Sequence, residues 1–259
     1  GAPDSIRQFA KNIVRDQAGL WTSPLRIRRH DLVWLIPFAG ATAAAIATDA
    51  RAVRDIDPNA TYVKATRRFT LTGAPYTLLG ASGATYLIAR ATHNDRLKET
   101  GALGAEAIAD SILVVTALKL ATNRERPNQG NGEGDFWPHG THGYPSGTAF
   151  PSGHAAASWA LARVVAGEYP HRPVKIVSYT LASLVSMARV TGRKHYPSDA
   201  LVGSVFGYLI GDYVVRHRAS EREHGASLTI APFSDARTHT RGISISFSPQ
   251  LFRSGRMPN

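Results

Sequence analysis

The sequence predicts an all-α fold, a helical bundle followed by a short C-terminal β-hairpin or strand pair. Three observations predict it. Apolar-rich segments of helix length recur from residue 5 to residue 218, no alternating strand pattern interrupts them, and alternation appears only after Glu223. At 259 residues the chain can bury a sizeable core as one domain. The predicted organisation is an α-helical domain over residues 1–223 and an extension over 224–259, where "SLTIAPF" and "RGISISF" carry the alternation.

The helices are predicted at residues 5–17, 31–47, 76–92, 102–122, 153–169, 174–190 and 198–218. The second and third lie on runs without charge, residues 32–48 and 69–89, both near the ~20 residues a membrane span needs. Both runs are alanine-heavy, and the second holds Gly, Ser, Thr and Pro75, so the expectation is buried helices of a soluble bundle. Pro127 helps end the fourth helix, because a residue before proline disfavours helical geometry. Pro151 and Ser152 open the fifth, with serine as N-cap. Arg189 closes the sixth, a turn at Gly192 follows, and Pro197, Ser198 and Asp199 start the seventh. Residues 128–147, rich in Gly, Pro, Asn and His, form a long loop of the functional kind, with Phe136 and Trp137 inside it as candidate substrate contacts.

Composition narrows the chemistry. The formal net charge of +11, from 30 Lys and Arg against 19 Asp and Glu, suits an anionic partner: a phosphorylated small molecule or lipid, or peripheral contact with an anionic membrane. No nucleic-acid-binding motif accompanies the basic residues, so nucleic acid is not an expected partner. Absence of cysteine excludes disulfides, thiolate metal sites and cysteine nucleophiles. The lack of cysteine fits a periplasmic or secreted protein as easily as a cytosolic one; the expectation is a periplasmic or secreted location, with membrane association allowed and any signal removed before Gly1. Oligomeric state leaves no mark in the sequence.

Three segments supply the set that a tetrahedral oxyanion needs. In "KLATNRERP", Lys119 and Arg126 are seven residues apart, ~700° along a helix, so both cations can point one way. In "AFPSGHAAA", Ser152 caps a helix whose first amides, at Gly153 and His154, face an anion with the macrodipole behind them. Capping needs no histidine, yet His154 stands there. In "RVTGRKHYPSDALVG", Arg189 adds a cation, and Asp199 is four residues from His195, near enough to accept a proton from one ring nitrogen and free the other. Cations and amides for the equatorial oxygens, a nucleophile on one side and an acid on the other make up an oxyanion site.

This order resembles the type 2 phosphatidic acid phosphatase and vanadium haloperoxidase superfamily, whose motifs read K-x6-R-P, P-S-G-H and S-R-x5-H-x3-D. Lys119 to Pro127, Pro151 to His154, and Arg189, His195 and Asp199 match them, with Ala188 in place of the third motif's serine. The resemblance covers residues 119–199. It implies an all-α bundle with the site in its core. It also implies a phosphatase acting on phosphomonoesters or on lipid or isoprenoid (pyro)phosphates through a phosphohistidine at His195. Asp199 would orient that histidine, and His154 would protonate the leaving alcohol and then activate water. Lys119, Arg126, Arg189, Ser152 and Gly153 would hold the phosphoryl oxygens. No metal or other cofactor is expected, because the cations already neutralise the phosphate, and no HExxH motif is present. The alternative that the resemblance leaves is a vanadate-dependent haloperoxidase, with vanadate in the same cradle. An inactive anion-binding relative is disfavoured by the intact histidines.

Overall fold

The computed structural model describes residues 6–138, 147–224, 227–235 and 240–248. Its helices are α1 (Ile6–Thr22), α2 (Leu32–Arg54), α3 (Thr61–Phe69), α4 (Pro75–Ala91), α5 (Asp95–Thr122), α6 (Gly153–Glu168), α7 (Arg172–Thr191) and α8 (Pro197–His224). Two compact units divide the chain, Ala2–Val214 and the remainder from Val215. The second unit contains strands β1 (Ser227–Asp235) and β2 (Thr240–Ser248), paired antiparallel with Ser227 opposite Ser248.

The first unit is helical throughout. α4 packs on α5, α5 on α6 and α6 on α7, while α1 leans on α5 and α3 on α7. Alanine explains the tight centre: Ala155, Ala156, Ala157 and Ala160 of α6 are fully buried. α8 approaches the same helix closely. A Cβ at Gly203, Gly207 or Gly211 would meet the carbonyl oxygens of Ser152, Ala156 and Ala160 at 2.4, 2.1 and 2.6 Å. A glycine every fourth residue lets two helix backbones touch along one face. Ser152 and Gly153 are therefore held from behind by α8.

α3 is an addition to the sequence reading. Its nine residues, TYVKATRRF, are short and polar, and only Val63 is buried. α5 begins seven residues earlier than residue 102, because Asn94 caps it by accepting from the Leu97 amide at 3.0 Å.

The expected burial of the two uncharged runs is corrected. On α2 only Asp49 and Val53 are buried, and Val33 and Ile36 are 78% and 66% exposed. On α4 only Ser82 and Ala89 are buried, with Tyr76, Leu87 and Ile88 turned outward. α7 likewise exposes Ile176, Leu181 and Met187. On α2, α4 and α7 most of the larger apolar side chains are left outside, unlike the surface helices of a soluble bundle. Two helical stretches, Arg29–Arg54 and Asp95–Thr122, are long and apolar enough to cross a membrane.

Candidate active site

The three motifs meet in one cavity of about 440 Å³ in the first unit. Lys119, Arg126, Gly153, His154, Arg189 and His195 form its polar wall, and Pro75, Tyr76, Leu79, Ile112 and Val115 its apolar one.

Lys119 and Arg126 converge, though not through helical phase. α5 stops at Thr122, the predicted end, where Asn123 takes a left-handed conformation (φ 41°), so Arg126 stands on the following loop rather than on the helix. Thr148 gathers both cations. Lys119 Nζ donates to its carbonyl, and Arg126 Nε and Nη2 donate to its hydroxyl at 3.3 and 3.1 Å. Arg189, near the end of α7, donates through Nη1 to Thr70 Oγ1 at 3.1 Å, and its buried Nε–H finds no acceptor among the described residues. Among the described residues no carboxylate lies within ion-pairing distance of any of these three cations. Buried cations without counterions are costly. An anion in the cavity removes that cost.

Ser152 is buried and caps α6, accepting from the Ala155 amide at 3.5 Å, while its own amide donates to the Asp199 carbonyl at 2.9 Å. It lies behind the cavity, and Gly153 and His154 present the helix start to it. Burial lowers the pKa of His154 to about 3, with Arg189, His195, Arg126 and Lys119 all opposing a further positive charge. His195 is fully buried, and burial with the same cations keeps its ring neutral well below its ordinary range. Burial also lowers Arg126.

The partner of His195 differs from the expected one. Nδ1 lies 2.8 Å from the Ala149 carbonyl, which can only accept, so this nitrogen carries the proton in the neutral ring. Asp199 Oδ2 is further off, at 3.5 Å. Its carboxylate is held by Arg124 Nη1 at 2.7 Å on Oδ1 and by the Tyr196 amide at 2.8 Å on Oδ2. Nε2 is thereby left as the unprotonated nitrogen.

Phe136 and Trp137 are not among the cavity-lining residues. Phe136 bridges Arg124 and lies over its guanidinium, 4.7 Å from carbon to ring centre, edge-on to Phe150. Trp137 Nε1 donates to the Ala121 carbonyl at 3.0 Å. The remainder of their loop, residues 139–146, lies outside the described residues. Sequence reasoning missed Thr70, Thr148, Arg124, Ser198 and Asp49. Only Asp49 carried a legible signal, as the first charge after an uncharged run.

The model of the PAP2 superfamily matches residues 101–222, the stretch that carries all three motifs. This segment, a little under half of the chain, is what resembles the PAP2 superfamily. A crystal structure of a transmembrane PAP2 type phosphatidylglycerolphosphate phosphatase from Bacillus subtilis shares the fold, with a TM-score of 0.51 and 23% identity over 73% of this chain and 94% of that one. Two relatives named lipid A 1-phosphatase also match. That of Porphyromonas gingivalis is 37% identical over 73 residues, 26% of this chain and 16% of the relative. That of Rhizobium etli is 33% identical over 95 residues, 37% of this chain and 40% of the relative. The matches thus span less than half the length of these curated relatives.

Proposed function

We propose that this protein is a membrane-associated, metal-independent phosphatase that hydrolyses a lipid phosphate through a phosphohistidine. The observation that carries the reading is the convergence on His154 and His195 of Lys119, Arg126 and Arg189, which have no carboxylate within ion-pairing distance among the described residues. Phosphoryl transfer asks a protein mainly for positioning and charge stabilisation. Lys119, Arg126, Arg189 and the Gly153 and His154 amides bind the non-bridging oxygens. His195 Nε2, with its lone pair exposed by the Nδ1–Ala149 bond, attacks phosphorus. The alkoxide leaves with a proton from His154, and His154 then takes a proton from water as that water attacks the phosphohistidine and releases phosphate. Covalent capture divides one displacement into two easier ones.

A lipid is the favoured substrate class on three grounds. The related proteins are named for lipid A and phosphatidylglycerolphosphate. One wall of the cavity is apolar. The apolar residues exposed on α2, α4 and α7 suit a bilayer, with α2 and α5 as the spanning helices.

The test is phosphate release by the purified protein in detergent with EDTA present, comparing a phosphorylated lipid in mixed micelles with a soluble phosphomonoester. Turnover that prefers the lipid, with an acid-labile label trapped on His195, is expected. Release that requires added Mg²⁺ or Zn²⁺, or that persists in His195→Ala, would overturn the mechanism.

A further inference from the structure

α2 lies outside the segment that defines the family, and almost all of it faces outward. Yet near its end it carries Asp49, a carboxylate with no exposed surface. Asp49 Oδ2 accepts from Arg124 Nη2 at 2.7 Å, and Oδ1 accepts from the Ser198 amide at 3.0 Å. The Ser198 hydroxyl also bonds Asp49 and lies 2.7 Å from Arg124 Nη1.

Arg124 is buried, with Phe136 over one side and Tyr196 at 4.5 Å. Its Nε donates to the Gly134 carbonyl at 2.9 Å, Nη2 goes to Asp49, and Nη1 goes to Asp199 Oδ1 at 2.7 Å. An arginine fork facing one carboxylate binds it with two parallel bonds. Here Asp49 takes one prong, so Asp199 receives a single bond on Oδ1. Its Oδ2 stays on the side of the Tyr196 amide and His195.

Resting on the proposed phosphohistidine mechanism, we propose that Asp49 is a positioning residue for His195. Through Arg124 and Ser198 it prevents a two-pronged Arg124–Asp199 pair and keeps Asp199 Oδ2 beside the imidazole ring. As His195 is phosphorylated it acquires positive charge, and a negative oxygen already in place stabilises that charge without rearrangement. Asp49 never touches substrate. Its removal therefore slows formation of the phosphoenzyme and leaves phosphate affinity intact, because Lys119, Arg126 and Arg189 are undisturbed.

The experiment is a double-mutant cycle in the full chain, using Asp49→Asn, Asp199→Asn and the pair, with kcat and KM measured on one phosphate ester and inorganic phosphate as a competitive inhibitor. Asp49→Asn is expected to lower kcat about 10- to 100-fold, the usual scale for a residue that orients a reacting side chain, with KM and phosphate inhibition unchanged. Added to Asp199→Asn it should cost nothing further, since both act through one carboxylate. Ser198→Ala, which removes a smaller part of the same support, should also lose its effect in the Asp199→Asn background, and it carries the test if Asp49→Asn does not fold. Multiplying losses, or a change confined to KM, would overturn the proposal while the mechanism stands. Turnover surviving in His195→Ala would instead remove the mechanism, and the proposal with it.

Discussion

Phosphate binding should drive a proton onto His154. In the free protein its pKa is about 3, held down by burial and by the surrounding cations. A phosphate dianion reverses that field. One negative charge ~4 Å from the ring, at an effective dielectric of ~20, is worth about 4 kcal/mol. At 1.36 kcal/mol per unit, that is a rise of about 3 pKa units. The first charge alone lifts His154 to about 6, and the second carries it higher. The ring therefore changes from neutral to largely protonated when ligand binds near pH ~6, which loads the proton a leaving alkoxide requires. Calorimetric titration with inorganic phosphate, in buffers of different ionisation enthalpy, gives the number of protons exchanged. Wild type should take up about one proton more than His154→Ala, whose slope contains only the ligand's own ionisation. Equal slopes in the two proteins would refute the reasoning, and His154 could not then be the acid.

The two histidines should separate by leaving group. His154→Ala should lose about 10²–10⁴-fold on an alkyl phosphate and far less on p-nitrophenyl phosphate, whereas His195→Ala should be equally inactive on both, as steady-state rates will show. Stability should fall with acidity. His195 stays neutral in the fold while the unfolded ring protonates below about 6.5, so each pH unit below that value costs about 1.4 kcal/mol. Melting temperatures between pH 7 and 5 should accordingly fall less steeply in His195→Asn. Gly203→Ala would press a methyl group to 2.4 Å from the Ser152 carbonyl oxygen, and should cost about 1–3 kcal/mol, read as a lowered melting temperature together with weaker phosphate inhibition.

The legible parts of the molecule were those whose information is local. Ser152 caps α6 where proline, serine and glycine together signal a helix start, whereas the cap that starts α5, Asn94, stands eight residues before the apolar run at residue 102 begins. The cavity was legible because each motif holds its charged members on a short stretch. Contacts between distant residues were not. Arg124 stands inside the first motif, but its value comes from Asp49 and Asp199, each 75 residues away. The acceptor for His195 Nδ1 is a backbone carbonyl, and any residue in place of Ala149 offers the same atom. The exposure of α2 was misjudged because an alanine-rich run reads alike whether its surroundings are protein or lipid.

Asn123 fastens both ends of a long excursion. Its carbonyl accepts from the Trp137 amide at 3.3 Å, and its side-chain oxygen accepts from the Gly147 amide at 2.8 Å. Trp137 and Gly147 are thus both tied to one residue. A substitution at Asn123 is therefore felt at Trp137 and at Gly147 together, although the two are ten residues apart in sequence. One residue thus does the work of two separate anchors, and losing it would loosen both at once.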